Sequence, residues 1–291
     1  MSKPATQHDA AWLDDQYNPR PHIPDHMAIF ERWRSASALA RTQAGVVLDV
    51  PYGDDASETL DLFAPTVPTA PGGAPVLVFI HGGYWRSLDK SDHSFVAPSF
   101  SADGALVVLP NYALAPAVTV EHITLQMARA LAWVWRHAAE HGGDPRRIVV
   151  AGHSAGGHAT AMMLSCRWKQ LADDLPPNLV TRGLALSGLY DLEPLRHTGF
   201  LQPSLQLTPS AVARLSPAFF PRPKAQLYAV VGGNESAEFL RQNRLIRDVW
   251  GPTSVPVCET IPGTHHLSVL HNLADPAGRC HELALRLLGL R

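Results

Sequence analysis

The sequence predicts an α/β fold: a mostly parallel, twisted sheet of about eight strands with helices on both faces. Three observations lead there. From Val46 onward, short aliphatic and β-branched runs alternate with longer helical patterns. Two of these runs, PVLVFI (Pro75–Ile80) and RIVVAG (Arg147–Gly152), are apolar at consecutive positions, which implies burial on both faces. Several strands are followed by glycine and an ionisable or hydroxyl side chain, the composition needed by a site at the carboxyl ends of a sheet.

The elements follow in order. The opening residues are polar and punctuated by Pro19, Pro21 and Pro24. Met27, Phe30 and Trp33 then share helical spacing, predicting an amphipathic helix within an N-terminal helical segment of about residues 1–44. Strands are expected at Val46–Tyr52, Thr59–Phe63, Val76–Ile80, Ala105–Leu109, Ile148–Ala151, Gly183–Ser187, Gln226–Val231 and Pro256–Ile261. Helices are expected at Thr119–His141, Gly156–Leu171, Ala237–Val249 and His281–Leu288. The loop APTVPTAPGGAP (Ala64–Pro75) reads as a hairpin or crossover connection. Residues 196–223 carry no clear strand pattern and read as a cap or lid. Two early strands lie close together, so the sheet is expected to be mixed at that edge. Residues 1–291 are expected to form one domain.

Composition narrows the function classes. The apolar fraction of 46% supplies a full core, and a formal charge of −2 with intermixed signs argues against nucleic acid. No apolar run approaches the ~18 residues that span a bilayer. Cys166, Cys258 and Cys280 form no C-x-x-C pair, and no apolar leader stands near Met1. A cytoplasmic protein without membrane or nucleic-acid partners is the expectation, with a homodimer left open.

The chemistry concentrates after four strands. GHSAGGH (Gly152–His158) places Ser154 between glycines two residues away on each side, where a strand turns sharply into a helix. That turn lifts the hydroxyl clear of the sheet at a helix N-terminus. A serine hydroxyl needs a base. His265 and His266 follow the last expected strand, and His266, followed by apolar Leu267, is the favoured base. The acid belongs after the strand before it, where GGNESAEF offers Glu235 and Glu238. Glu235 is favoured, Glu238 is expected to face solvent, and Asp191 reads as a structural carboxylate. HGGYW (His81–Trp85) follows the third strand. Its Gly82 and Gly83 N–H groups, with that of Ala155, would hold a developing oxyanion, each donor contributing roughly 3 kcal/mol. His81 is expected to fix this loop, and Tyr84, Trp85 and Tyr190 to wall a substrate pocket, with Phe200, Phe219 and Phe220 as further aromatic candidates. HAAEH (His137–His141) matches a zinc pattern, but it closes a helix and has no evident third ligand.

Taken together, HGGYW, GHSAGGH, SGLYDLEPL (Ser187–Leu195), SAEFLRQ (Ser236–Gln242), HHLSVL (His265–Leu270) and YNPR (Tyr17–Arg20) resemble the α/β-hydrolase superfamily. They resemble most its arylformamidase (kynurenine formamidase) branch and the esterases that share HGG. The resemblance implies an α/β-hydrolase fold with nucleophile Ser154, acid Glu235 and base His266. It implies cleavage of an aryl formamide such as N-formylkynurenine, a step of tryptophan catabolism, or of a small carboxylic ester. The partner is then a small aromatic amide or ester, and no metal or cofactor is needed. The branch usually carries Asp where Glu235 stands and often an aromatic residue where Leu267 stands.

Overall fold

The computed structural model describes residues 9–69 and 71–291. The first eight residues of the expected N-terminal segment lie outside the described residues. Helix α1 (Ala10–Tyr17) is capped by Asp9, whose carboxylate accepts from the Trp12 N–H at 2.7 Å. A 3-10 turn at Arg20–His22 leads into α2 (His26–Ala40), which buries Ile29, Phe30 and Trp33. Met27, expected on that apolar stripe, is 64% exposed; Ile29 takes its place.

Strands β1 (Val46–Pro51), β2 (Thr59–Phe63) and β3 (Ala74–Ile80) come next. Then follow α3 (Ala97–Ala102), β4 (Leu106–Pro110), α4 (Val120–His137), β5 (Gly143–His153), α5 (Ala155–Leu164), α6 (Trp168–Leu171) and β6 (Arg182–Leu186). The chain continues through α7 (Gln202–Leu205), α8 (Pro209–Leu215), β7 (Gln226–Gly232), α9 (Ala237–Ser254), β8 (Val257–Ile261), α10 (Ser268–Ala274) and α11 (Arg279–Leu288).

Among the described residues one sheet of eight strands forms, in the order β1-β2-β4-β3-β5-β6-β7-β8. The β1/β2 and β2/β4 pairs are antiparallel and the remaining pairs are parallel, giving the mixed edge that the sequence predicts. Because β2 pairs with β4 rather than β3, the Ala64–Pro75 loop is a crossover and not a hairpin. Strand β3 shows how the sheet is held. Its Val76, Val78 and Ile80 enter one core with α4, α5 and α9; Leu77 and Phe79 enter the opposite core with α2, α3, α10 and α11. Both faces of a strand are buried only when helices cover both, so the apolar run of the sequence is the signature of this layering.

Helix α5 stops at Leu164 instead of running to Leu171. The Ser165 hydroxyl bonds back to the Ala161 carbonyl at 3.1 Å, and Arg167 leaves helical geometry before α6. Residues 196–223 hold α7, α8 and a 3-10 turn at Pro217–Phe219, with Leu201, Leu205, Leu207 and Leu215 buried. Among the described residues no helix is long and apolar enough to cross a membrane.

Candidate active site

The turn from β5 into α5 sets the first candidate group. Ser154 sits between them at φ 56°, ψ −115°, left-handed geometry that a residue with a side chain rarely adopts. Its flanking glycines allow the close approach. A Cβ on Gly152 would lie 2.2 Å from the Gly156 carbonyl oxygen, and one on Gly156 would lie 2.0 Å from that of Ile80. The Ser154 N–H donates to the Leu186 carbonyl at 2.8 Å, tying the turn to β6.

The second group comes from the ends of β7 and β8. His266 Nδ1 donates to Glu235 Oε2 at 2.7 Å. Glu235 Oε1 accepts from the Gly232 N–H at 2.7 Å and from the Ser187 hydroxyl at 2.5 Å. The carboxylate is 1% exposed and the imidazole 6%. A buried carboxylate so saturated holds the Nδ1 proton in place and leaves the Nε2 lone pair of a neutral imidazole unoccupied. His153 supports the ring from behind: its Nε2 donates to the His266 carbonyl at 2.7 Å, and the two ring centroids are 4.7 Å apart. Burial and the neighbouring His266 push the His153 pKa well below its usual range, so it stays a neutral donor.

The third contribution is a loop of free donors. Among the described residues, the N–H groups of Gly82, Gly83 and Ala155 have no acceptor. Gly83 has φ 110°, and its carbonyl is engaged by the Arg86 and Ser87 N–H groups at 3.1 Å each, so the loop curls tightly. The loop abuts the serine: a Cβ on Gly82 would lie 3.2 Å from the Ser154 Cβ. His81 pins the loop through Nδ1 to the Gly82 carbonyl at 2.8 Å and stacks on Tyr112 with ring centroids 4.2 Å apart.

Ser154 and His266 line one cavity of about 220 Å³. Its walls include Phe30 and Trp33 of α2, Tyr84, Phe200 and Leu267, and its polar rim includes Asn18, Arg20 and Arg86.

The family description "alpha/beta hydrolase fold" matches residues 77–228, more than half of the chain. The chain belongs to the α/β-hydrolase fold family. Over 263 residues it is 29% identical to a kynurenine formamidase of Danio rerio, covering 88% of this chain and 86% of that protein. Over 264 residues it is 30% identical to a kynurenine formamidase of Salmo salar, with the same coverage. A solved structure from Silicibacter sp., assigned as a thioesterase, superposes with TM-score 0.77 at 31% identity, covering 92% of this chain and 97% of that one. A hyperthermophilic esterase from Pyrobaculum calidifontis superposes with TM-score 0.67 at 17% identity, covering 91% and 93%, which shows a shared fold. The protein is a hydrolase.

In this α/β hydrolase Ser154, His266 and Gly83 of the expected residues line the cavity, Glu235 is bonded to His266, and Gly82 and Ala155 are the chain neighbours of Gly83 and Ser154. The expected pocket wall needs correction. Tyr84 lines the cavity, but Trp85 is 1% exposed and packs edge-on against His158, with ring centroids 5.1 Å apart. Tyr84 and Trp85 both have left-handed backbone (φ 51° and 56°), and their side chains part at this turn. Tyr190 is fully buried, its N–H donating to Gln242 at 2.8 Å, and it contributes to the core rather than the pocket. Phe219 is exposed and Phe220 lines a groove elsewhere, so of the further aromatic candidates only Phe200 is at the cavity.

One other reading changes. Glu238 does not face solvent; it is 7% exposed, accepting from the Tyr17 hydroxyl at 2.6 Å and from Arg241. His265 Nδ1 accepts from the Leu267 and Ser268 N–H groups at 3.2 Å each, where the chain enters α10. Asp191 pairs with Arg241 at 3.4 Å, as a structural carboxylate. The contributions of Ser187, His153 and α2 lie beyond the sequence reading. Ser187 was legible only as part of SGLYDLEPL, and Phe30 and Trp33 only as an apolar stripe.

Proposed function

We propose that this protein is a serine hydrolase that cleaves an aryl formamide of the N-formylkynurenine type, or a small carboxylic ester, through an acyl-enzyme on Ser154. One observation carries the reading: the buried Glu235–His266 pair borders the cavity lined by Ser154, beside three N–H groups without an acceptor among the described residues. Ser154 Oγ attacks the substrate carbonyl while its proton passes to His266 Nε2. The carbonyl oxygen becomes an oxyanion and accepts from the Ala155, Gly83 and Gly82 N–H groups. As the tetrahedral centre collapses, His266 returns the proton to the leaving amine or alcohol. Water then attacks the acyl-enzyme, giving up a proton to His266, and the carboxylic acid leaves as Ser154 recovers its hydrogen.

The formamide reading is supported by relatives named kynurenine formamidase that align along most of both chains. Residues 196–223 act as the cap, placing Phe200 on the cavity wall. A cytoplasmic location belongs to the same proposal, supported by three free cysteines. Comparing kcat/KM for N-formylkynurenine and formanilides with that for phenyl and alkyl acetates tests the substrate class; a strong preference for the esters makes the protein a general short-chain carboxylesterase. Labelling by a fluorophosphonate, lost in Ser154→Ala, tests the nucleophile. A wild-type protein that is neither labelled nor active is a binding protein on a hydrolase fold.

A further inference from the structure

We propose that Arg20 and Arg86 form a carboxylate receptor at the mouth of the cavity and are specificity-determining residues for substrates that carry one. The proposal rests on the serine-hydrolase reading above and adds the charge of the substrate. Among the described residues, the side chains lining the cavity include two guanidiniums and no carboxylate. Glu235, directly behind, has its oxygens bonded to His266, Ser187 and Gly232, and it forms no ion pair with either arginine.

Each guanidinium is held over an aromatic wall of the same cavity. Arg20 Cζ lies 5.6 Å from the Phe30 ring centroid, and Arg86 Cζ lies 5.4 Å from that of Phe200. Arg86 is anchored further through one nitrogen, which donates to the Phe200 carbonyl at 2.6 Å and to the Ser204 hydroxyl at 3.2 Å. Its remaining N–H groups have no acceptor among the described residues, and the Arg20 guanidinium has neither a hydrogen bond nor an ion pair among them. Arg129, Arg136 and Arg279, by contrast, meet carboxylates, those of Glu58, Asp174 and Glu259. Burial and the like charge of Arg20 both lower the Arg86 pKa, so the two cations repel across the mouth. A planar carboxylate relieves that repulsion and matches the free fork of N–H donors. A cationic group finds no anionic partner on this wall.

The test uses phenyl acetates bearing either a carboxylate or a carboxamide, at ring positions 2, 3 or 4 or at the end of a propionate chain. For each matched pair the readout is the ratio of kcat/KM for the carboxylate over that for the carboxamide, which cancels effects common to both. In wild-type protein the best pair favours the carboxylate. Arg20→Gln lowers that ratio at least ~10-fold, Arg86→Gln lowers it similarly, and Arg20→Lys restores part of it. Arg20→Gln is decisive, because that side chain makes no hydrogen bond within the described protein. A ratio unchanged within twofold in Arg20→Gln across the series overturns the receptor, as does a wild-type preference for every carboxamide. Wild-type protein that hydrolyses no member and escapes fluorophosphonate labelling overturns the serine-hydrolase reading, and the receptor with it.

Discussion

Replacing Glu235 with Gln tests the hydrogen-bonded chain behind the cavity while changing almost no volume. In the native site Oε1 accepts from two donors, the Gly232 N–H and the Ser187 hydroxyl, and Oε2 accepts from His266 Nδ1 at 2.7 Å. The carboxamide has a single acceptor oxygen. With that oxygen at the Oε1 position, its NH2 group faces Nδ1 and donates to it, so the ring proton moves to Nε2. The imidazole then presents a proton where, in the proposed mechanism, it accepts one from Ser154. Turning the amide over sets its NH2 against the Gly232 donor instead. The expected loss is about 10⁴-fold in kcat, equivalent to about 5 kcal/mol of transition-state stabilisation. The assay is p-nitrophenyl acetate turnover, with thermal unfolding to verify the fold and ¹⁵N chemical shifts of His266 to read the tautomer. Wild-type protein should carry the proton on Nδ1 and Glu235→Gln on Nε2. A folded Glu235→Gln variant that keeps kcat within tenfold of wild type refutes the reasoning.

Other perturbations probe the turn and the buried histidines. Ser154→Gly relieves the left-handed backbone at φ 56°, ψ −115°; it should abolish turnover yet raise stability by about 1 kcal/mol, seen as a Tm increase of about 2 °C, and a fall in Tm contradicts the strain. Gly156→Ala, which on helix propensity alone would stabilise α5 by about 1 kcal/mol, should instead destabilise by about 2 kcal/mol or more in urea, because the new Cβ meets the Ile80 carbonyl at 2.0 Å. Burial pushes His93 down to about 3 and His158 to about 4. Their folded pKa values lie below the unfolded 6.5, so the unfolded chain takes up protons that the native chain refuses. Their contribution is complete above pH 6.5 and declines as pH falls toward 4. From pH 6 to pH 5 the pair should remove about 2 kcal/mol, and a urea midpoint unchanged over that interval disproves it.

What the sequence made legible follows from where the information is local. Consecutive apolar residues in β3 and β5 mark strands buried on both faces, and the sheet follows. Gly152, Ser154 and Gly156 encode their turn within five residues, so the position of the hydroxyl is legible as well. Glu235 and His266, the proposed acid and base, are placed by strand order, because β7 and β8 bring them to the same end of the sheet. The substrate wall depends instead on side-chain direction. Tyr84 and Trp85 are adjacent and equally aromatic, yet one lines the cavity and the other is buried in the core. Glu238 likewise reads as a solvated charge until Tyr17, 221 positions away in sequence, is placed against it.

That same long-range contact accounts for the form of the site. The last turn of α1 bonds to three elements that each contribute a separate part. The Tyr17 hydroxyl reaches Glu238, and the Gln16 carbonyl accepts from Ser236 at 2.6 Å, both at the start of the helix that follows the acid. The Tyr17 carbonyl accepts from the Tyr84 hydroxyl, on the loop of free N–H donors. Asp14 accepts from the Phe200 N–H at 3.3 Å, in the segment that supplies the opposite wall. Strand order alone brings Ser154, Glu235 and His266 to one end of the sheet, but nothing in strand order closes a cavity above them. A buried tyrosine whose hydroxyl and carbonyl are both engaged can set the spacing of those elements, since a shift of any one breaks a hydrogen bond, and the bond to Glu238 is buried away from water. The N-terminal residues thus belong to the site as structure, and Arg20, three positions beyond Tyr17, is carried to the cavity mouth by the same anchorage.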